Sequence, residues 1–241
     1  MPVDIMLTVV ATAVVQSIFG VGVLLFGMPV LLLLGHSFID TLVILLPISL
    51  AINGLQIAKH RAHIDFAFYR QILLFTLPPI ALFLFLVTHT GVNIGVLLGA
   101  FVLFVALKEF SDPVSRAIDA LMKYERSYFL LMGVIHGLSS LGGSLLTALV
   151  HHKAYPKDTA RVTVASSYAT FAAVQLATLF VFSRQQIDVP YSENGIYVAV
   201  ASLVFLLADE VLYLHIGQDK YRRIFSAFLA VSGGLLILKS L

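Results

Sequence analysis

The sequence has few charged residues and no cysteine. Of its 241 residues, 12% are charged and 59% are hydrophobic. Soluble domains have about 25% charged and roughly 45–50% apolar residues, so this composition excludes a soluble enzyme, a nucleic-acid-binding domain and a disordered chain. The lack of cysteine excludes disulfides, thiolate nucleophiles and Cys-ligated metals. The class that remains is a multi-pass membrane protein, with room for about seven to nine membrane segments.

Basic residues are missing from the first part of the chain, where the first Lys or Arg is Lys59. A secretory signal peptide needs a positively charged start, so we expect none here. The chain does contain apolar runs of helical length, and α-helices are predicted because a lipid-exposed backbone must satisfy its own hydrogen bonds. The runs lie at 4–18 and 21–34 (one interrupted stretch), 41–58, 71–88, 92–107, 127–150 (interrupted), 159–183, 194–215 and 224–238.

Glycine clusters interrupt two of these runs. Residues 4–34 would form a helix of about 46 Å, which is too long for a membrane core of about 30 Å unless it is broken or steeply tilted. A segment that begins Asp-Thr follows each cluster, and Asp40 and Asp158 are 118 residues apart, while Gly22 and Gly142 are 120 apart. The clusters consist of Gly20, Gly22, Gly27 and Pro29 in the first run, and Gly133, Gly137, Gly142 and Gly143 in the second.

These spacings predict an all-α integral membrane protein made of two inverted repeats. Each repeat has a broken, re-entrant helical segment followed by three transmembrane helices. The first membrane repeat is predicted over residues 1–110, a cytoplasmic linker over 111–126 and the second membrane repeat over 127–241.

The placement of Lys and Arg favours this topology. With re-entrant broken segments and the 108–126 loop inside, 13 of the 15 basic residues are cytoplasmic, and only Arg184 and Lys239 are outside. If residues 127–150 cross the membrane instead, nine Lys and Arg residues lie inside and six lie outside. The positive-inside rule selects the first arrangement, with the N-terminus outside and the chain in the cell (inner) membrane.

Broken helices in inverted repeats are typical of transporters, whose substrates bind near the midplane. A half-helix N-terminus offers free N–H groups and partial positive charge, so two such ends predict a site for a small anion without Lys or Arg. The alternative for the glycines is close helix packing, for which Gly133 and Gly137 are well spaced. The candidate substrate-binding residues are Ser17, Gly20, Gly22, Ser49, Asn53, Gln56, Ser139, Ser140, Gly142, Gly143, Ser144, Ser166, Ser167, Thr170 and Gln175.

Four titratable or charged residues inside the spans are candidate coupling or gating groups: His136, Arg161, Asp209 and Glu210. Intramembrane charges are costly, which makes them informative. The alternatives are an ion pair near the cytoplasmic mouth and proton coupling through a carboxylate. His136 fits either proton coupling or a hydrogen-bonded core position. No metal-ligand or cofactor motif occurs, so neither a metal nor a cofactor is expected.

Two stretches resemble the paired signatures of the TauE/SafE family of sulfite and organosulfur-anion exporters. They are "SIFGVGVLLFGMPVLLLLGHSFIDTLVILLPISLAINGLQIAKHRAHIDF" and "GLSSLGGSLLTALVHHKAYPKDTARVTVASSYATFAAVQ". The family's Gly-Gly-Gly is GVG in the first and GGS in the second, and the proline that follows is present as Pro29 in the first half alone.

The resemblance implies a non-enzymatic secondary exporter of sulfite, sulfoacetate or a related organosulfur or carboxylate anion. Alternating access and a midplane anion at the half-helix N-termini are the expected mechanism. The alternative function is a non-transporting membrane scaffold or assembly protein. The expected partners are the anion and the lipid bilayer, with a homodimer as an option and no nucleic acid.

The topology predicts the accessibility of two positions. Cysteines introduced singly as Lys153→Cys and Lys220→Cys will both react with a membrane-impermeant reagent from the cytoplasmic side, because the predicted topology places both positions there. The native chain has no cysteine that would compete for the reagent. Labelling from opposite sides would contradict the re-entrant second segment.

Overall fold

A computed structural model of the protein describes residues 2–20, 22–90, 92–108, 111–184, 187, 191–212 and 218–241. Most of these residues lie in α-helices, Arg61–His63 form a 3-10 turn, and the described residues contain no strand, which confirms the all-α prediction. The helices are α1 (Val3–Phe19), α2 (Val23–Leu34), α3 (Phe38–His60), α4 (Phe66–His89), α5 (Ile94–Lys108), α6 (Asp112–Met122), α7 (Glu125–Ser139), α8 (Gly143–His152), α9 (Lys157–Phe182), α10 (Tyr191–Leu212) and α11 (Gln218–Ser240).

Four helices in the described part of the chain are long and apolar enough to cross a membrane. They are α3, α4, α9 and α10, with apolar stretches of 18 to 26 residues. Shorter apolar helical stretches lie in α1, α2, α5 and the second half of α11. The chain is therefore a helical protein suited to a bilayer, in which two pairs of long apolar helices, α3–α4 and α9–α10, are flanked by helices with shorter apolar stretches.

Both predicted interruptions are real helix ends. Helix α1 ends at Phe19, where Gly20 adopts the left-handed conformation with φ 73°, and its N–H donates to the Gln16 carbonyl at 2.8 Å. Helix α7 ends in the same way, because Ser140 has φ 59° and its N–H donates to the His136 carbonyl at 2.7 Å. The two left-handed residues are 120 positions apart in the chain.

Each broken segment returns to the end of the bundle from which it starts. His36, after α2, lies 2.8 Å from the Asp4 carboxylate in the first turn of α1. Lys153, after α8, forms an ion pair of 2.6 Å with Glu125 in the first turn of α7. The helix pairs α1–α2 and α7–α8 are therefore hairpins.

The two hairpins start from opposite ends of α3. His36 lies two residues before α3, whereas Asp65 follows α3 and accepts a hydrogen bond of 2.7 Å from Tyr155, which lies three residues beyond the end of α8. Asp65 also caps α4 by accepting from the Phe68 N–H at 3.0 Å. The hydrogen bond from the Phe68 N–H, followed by the one from Tyr155, holds the pKa of Asp65 below its usual value.

Helices from the two halves of the chain interleave. Helix α3 packs against α9, and α5 against α11. Helix α4 lies against α7 and α9, while α10 lies against α1 and α3. The α5–α11 pair is antiparallel, because Asn93 before α5 donates to the Ser240 carbonyl at 2.7 Å and Gly99 packs against Gly233 near the middle.

Glycines 133 and 137 serve close helix packing, which was the alternative to a binding role. A Cβ on Gly133 would lie 2.6 Å from both the Pro79 Cγ and the Thr76 carbonyl oxygen of α4. A Cβ on Gly137 would lie 2.7 Å from the Ile80 carbonyl oxygen. Small residues at this spacing let two helix backbones approach each other without polar side chains.

Residues 112–122 of the segment 108–126, which was expected from the sequence to be a loop, are helical. They form α6, whose apolar residues Val114, Ile118, Leu121 and Met122 recur at helical spacing and pack on the cluster formed by Phe129, Met132 and their neighbours. One buried stripe stabilises a short surface helix. The helix α6 was not predicted from the sequence because charged residues flank its apolar stripe.

The α4–α7 contact predicts a position-dependent cost of adding a methyl group. Gly133→Ala will lower the free energy of unfolding by about 1–3 kcal/mol, because its Cβ meets backbone and a proline ring. Gly54→Ala is the control, since nothing lies within 4 Å of that Cβ, and it will be neutral or stabilising by up to about 1 kcal/mol. Unfolding midpoints of the purified variants measure both effects, and equal losses would contradict the packing role.

Candidate functional site

Gln16 closes the first break. Its Oε1 accepts from the N–H of Val23, the first residue of α2, at 3.1 Å. Its Nε2 donates to the Gly20 carbonyl at 3.0 Å and to the Asn53 Oδ1 of α3 at 3.4 Å. One buried amide therefore satisfies backbone groups on both sides of the break and links them to α3. Gln16 is not among the residues predicted from the sequence, although it stands 120 residues before His136.

The second break joins three of the predicted residues. Gln175 of α9 donates from Nε2 to the Ser140 Oγ at 2.7 Å, and its Oε1 lies 3.1 Å from the His136 Nε2. All three side chains are buried. The His136 ring also packs against Phe171, with ring centroids 5.0 Å apart. An amide on a central helix thus holds the second break, as Asn53 contributes to the first.

The first turns of α2 and α8 are covered by the protein's own side chains. At α2, Gln16 takes the Val23 N–H, and a Cβ on Gly22 would lie 2.9 Å from the Val15 Cγ1. At α8, the hydroxyl of Tyr168 fills the space beside Gly143, where a Cβ would overlap it. A Cβ on Gly142 would lie 2.7 Å from the His136 Cβ. Tyr168 therefore occupies the space beside the N-terminus of α8.

Most predicted hydroxyls bond within their own helices, as Ser and Thr commonly do in apolar surroundings. Asn53 likewise donates to the Ser49 Oγ at 3.1 Å, while the buried Oγ of Ser166 has no partner among the described residues. Their role in binding stays a prediction. The hydroxyls that donate to a carbonyl three or four residues earlier are those of Ser17, Ser139, Ser144, Ser167 and Thr170.

A buried ion pair joins α9 to α10. The Arg161 Nη2 bonds the Asp209 Oδ1, and the Lys59 Nζ of α3 lies 3.0 Å from the Asp209 Oδ2. The side chains of Arg161 and Asp209 are 5% and 6% exposed, and that of Lys59 is 55% exposed. The ion-pair interpretation of Arg161 and Asp209 is thus confirmed, and proton coupling stays a prediction. The Glu210 side chain lies outside the described residues.

The same Arg161 nitrogen lies 3.5 Å from the Ser17 carbonyl in the last turn of α1. A cation at a helix C-terminus interacts favourably with the carbonyls exposed there. The ion pair therefore sits beside the first break, and a Cβ on Gly20 would lie 3.7 Å from the Arg161 Cγ.

A cavity of about 300 Å³ opens next to this ion pair, between α3, α9 and α10. Gln56 is among its lining residues and is 2% exposed, yet neither its Nε2 nor its Oε1 has a hydrogen-bond partner among the described residues. Lys59 was predicted from the sequence only to mark the cytoplasmic side, although it follows Gln56 by three residues on the same helix. The lining residues are Leu55, Gln56, Ala58, Lys59, Arg161, Phe205, Leu206 and Asp209.

The described residues contain no group of three His, Asp or Glu side chains close enough to hold a metal ion. What they do contain are apolar spans, two hydrogen-bonded helix breaks and one buried ion pair, which together define a multi-pass helical membrane protein. A model of the sulfite exporter TauE/SafE family matches residues 5–236, nearly the whole chain. The chain therefore belongs to that family, which confirms the resemblance seen in its two broken segments. No curated protein and no solved structure matches the chain.

The buried ion pair predicts unequal costs for two carboxylates. Asp209→Asn will lower the free energy of unfolding by about 3–5 kcal/mol, because it leaves Arg161 buried without its counter-charge. Glu125→Gln, which breaks the partly exposed pair with Lys153, will cost about 0–1 kcal/mol. Denaturation curves of the two variants give the comparison, and a loss at Asp209 no larger than at Glu125 would contradict this account.

Proposed function

We propose that this protein is a secondary transporter that exports a small anion, such as sulfite, sulfoacetate or a related organosulfur or carboxylate anion, by alternating access. Membership in the sulfite exporter family supports the substrate class. The observation that carries the mechanism is the matched pair of breaks at Gly20 and Ser140. Gln16 links the first break to Asn53 of α3, and Ser140 at the second break accepts a hydrogen bond from Gln175 of α9. Transporters use such discontinuous helices to expose backbone groups at the midplane.

The helix contacts support an inverted-repeat architecture. In the two predicted repeats, α1 corresponds to α7, α3 to α9, α4 to α10 and α5 to α11. If each helix is exchanged with its counterpart, the contact α4–α7 becomes α10–α1 and the contact α4–α9 becomes α10–α3, and all four contacts are present. The same exchange leaves the pairs α3–α9 and α5–α11 unchanged. The two hairpins start from opposite ends of α3, as a pseudo-two-fold axis in the membrane plane requires.

The charge distribution supports the orientation of the chain in the membrane. The end of the bundle with Lys59, the Asp65–Tyr155 hydrogen bond and the Glu125–Lys153 pair belongs to the segments that contain 13 of the 15 Lys and Arg residues. We assign this end to the cytoplasm by the positive-inside rule. The N-terminus then lies outside, as does the end with the Asp4–His36 pair.

The proposed anion lies between the two breaks and accepts hydrogen bonds from backbone N–H groups and hydroxyls. We propose Ser140 and Gln175 at the second break, and Gly20 and Asn53 at the first, as groups that contact the anion. Tyr168 covers the α8 N-terminus in this conformation, so the transport cycle includes a movement of its hydroxyl away from Gly143. The proton gradient or the membrane potential drives export.

Flux in proteoliposomes tests the function. The unaltered protein will transport sulfite, sulfoacetate or thiosulfate, and Ser140→Leu and Ser167→Leu will each reduce the rate by roughly an order of magnitude or more, because a misplaced site loses its geometry. Ser192→Leu is the matched control, since it adds the same volume at an exposed position of α10.

Two results would contradict the proposal. Normal flux in both site variants would show that the anion does not bind at the breaks. Absence of flux and of anion-dependent thermal stabilisation in the unaltered protein would favour the non-transporting scaffold, because a bound ligand stabilises the folded state.

A further inference from the structure

We propose that the cavity between α3, α9 and α10 is a second anion site, which binds the sulfonate or carboxylate group of a short organic anion. This site lies at the Lys59 end of the bundle, away from Ser140 and the second break. The inference rests on the proposed function only where it treats the bound anion as cargo; the binding itself is independent of flux.

Three of the residues that line the cavity carry hydrogen-bond donors that suit an oxoanion. They are Arg161, Lys59 and Gln56. Arg and Lys form the strongest hydrogen bonds to anionic oxygens, and a planar guanidinium fits such groups particularly well. Gln56 is the observation that points to a ligand, because its buried amide has no partner among the described residues. A buried amide without partners is costly, and a bound oxoanion gives its N–H₂ group an acceptor.

Asp209 shows the size of group that the two cations can share. Its Oδ1 bonds Arg161 and its Oδ2 bonds Lys59, so a single carboxylate bridges the two side chains. The Lys59 side chain is 55% exposed. A long ammonium side chain at such a position can turn from Asp209 to a second oxoanion without a change in the backbone. Arg161 is buried and stays with Asp209 as the fixed part of the site.

The walls and the volume define the rest of the ligand. Leu55, Ala58, Phe205 and Leu206 give the cavity apolar surface beside the charged groups. A volume of about 300 Å³ is at the low end of ligand cavities, which run from about 300 to 1,000 Å³. The ligand is therefore an oxoanion group with a body of a few carbon atoms.

The site is also connected to the first break. The Arg161 Nη2 lies 3.5 Å from the Ser17 carbonyl, in the last turn of α1 before Gly20. Because Arg161 stays paired with Asp209, the same guanidinium borders the cavity and contacts the end of α1.

Equilibrium binding to the purified full-length protein tests the site, with ethanesulfonate as the probe and ethylammonium as the charge control. Ethanesulfonate will bind saturably and ethylammonium will not. Lys59→Gln will raise the Kd for ethanesulfonate by about fivefold, the upper value for a half-exposed ion pair. Lys153→Gln, which removes a paired lysine at the same end of the bundle but outside the cavity, will leave the Kd unchanged.

Gln56→Leu separates a binding role from a structural one. The substitution replaces an unpartnered buried amide with an apolar side chain of similar size, so the melting temperature of the unliganded protein will rise while the Kd for ethanesulfonate increases. A structural role would lower the melting temperature and leave the Kd unchanged.

Two patterns of results would overturn the cavity site: no ethanesulfonate binding, or equal effects of Lys59→Gln and Lys153→Gln on the Kd. Normal flux together with either pattern would leave the proposed function standing without the cavity. Binding that responds to Lys59 and Gln56 in a protein without flux would support the cavity and contradict the transporter.

Discussion

A helix that stops inside an apolar interior leaves backbone N–H and C=O groups that no water can satisfy, and this constraint governs the molecule. Gln16 meets it at the first break, by bonding the Val23 N–H and the Gly20 carbonyl. At the second break Ser140, His136 and Gln175 bond one another. Since Asn53 and Gln175 belong to α3 and α9, the packing of these two helices against each other holds both breaks in place.

The buried charges of Arg161 and Asp209 must also be satisfied by partners within the protein. Arg161 and Asp209 are almost fully buried, and a buried pair costs desolvation that its attraction offsets only with good geometry and further hydrogen bonds. Lys59 and the Ser17 carbonyl provide those further contacts. The pair therefore joins α3, α9, α10 and the end of α1 at one point, which is an expensive arrangement if its only purpose is to hold helices together.

Sequence patterns predicted the helices and their breaks well, because glycine clusters and apolar runs act locally. The recurrence of Asp-Thr and of glycine pairs at 118 and 120 residues located both interruptions. Gln16 escaped notice because a lone amide in an apolar run has no local signature. The position of Tyr168 over Gly143 could not be predicted either, since it depends on how α9 lies against α8. Lys59 was assigned to topology because its partner Asp209 is 150 residues away in the chain.

The two breaks differ in the residue that occupies the left-handed position. Glycine changes between left-handed and extended backbone at little cost, whereas a serine in the left-handed region is held there by its surroundings. Gly20 has no side chain to restrain it, while the Ser140 hydroxyl accepts a hydrogen bond from Gln175 at 2.7 Å. The backbone can therefore change conformation more easily at Gly20 than at Ser140, so the two breaks differ in stiffness.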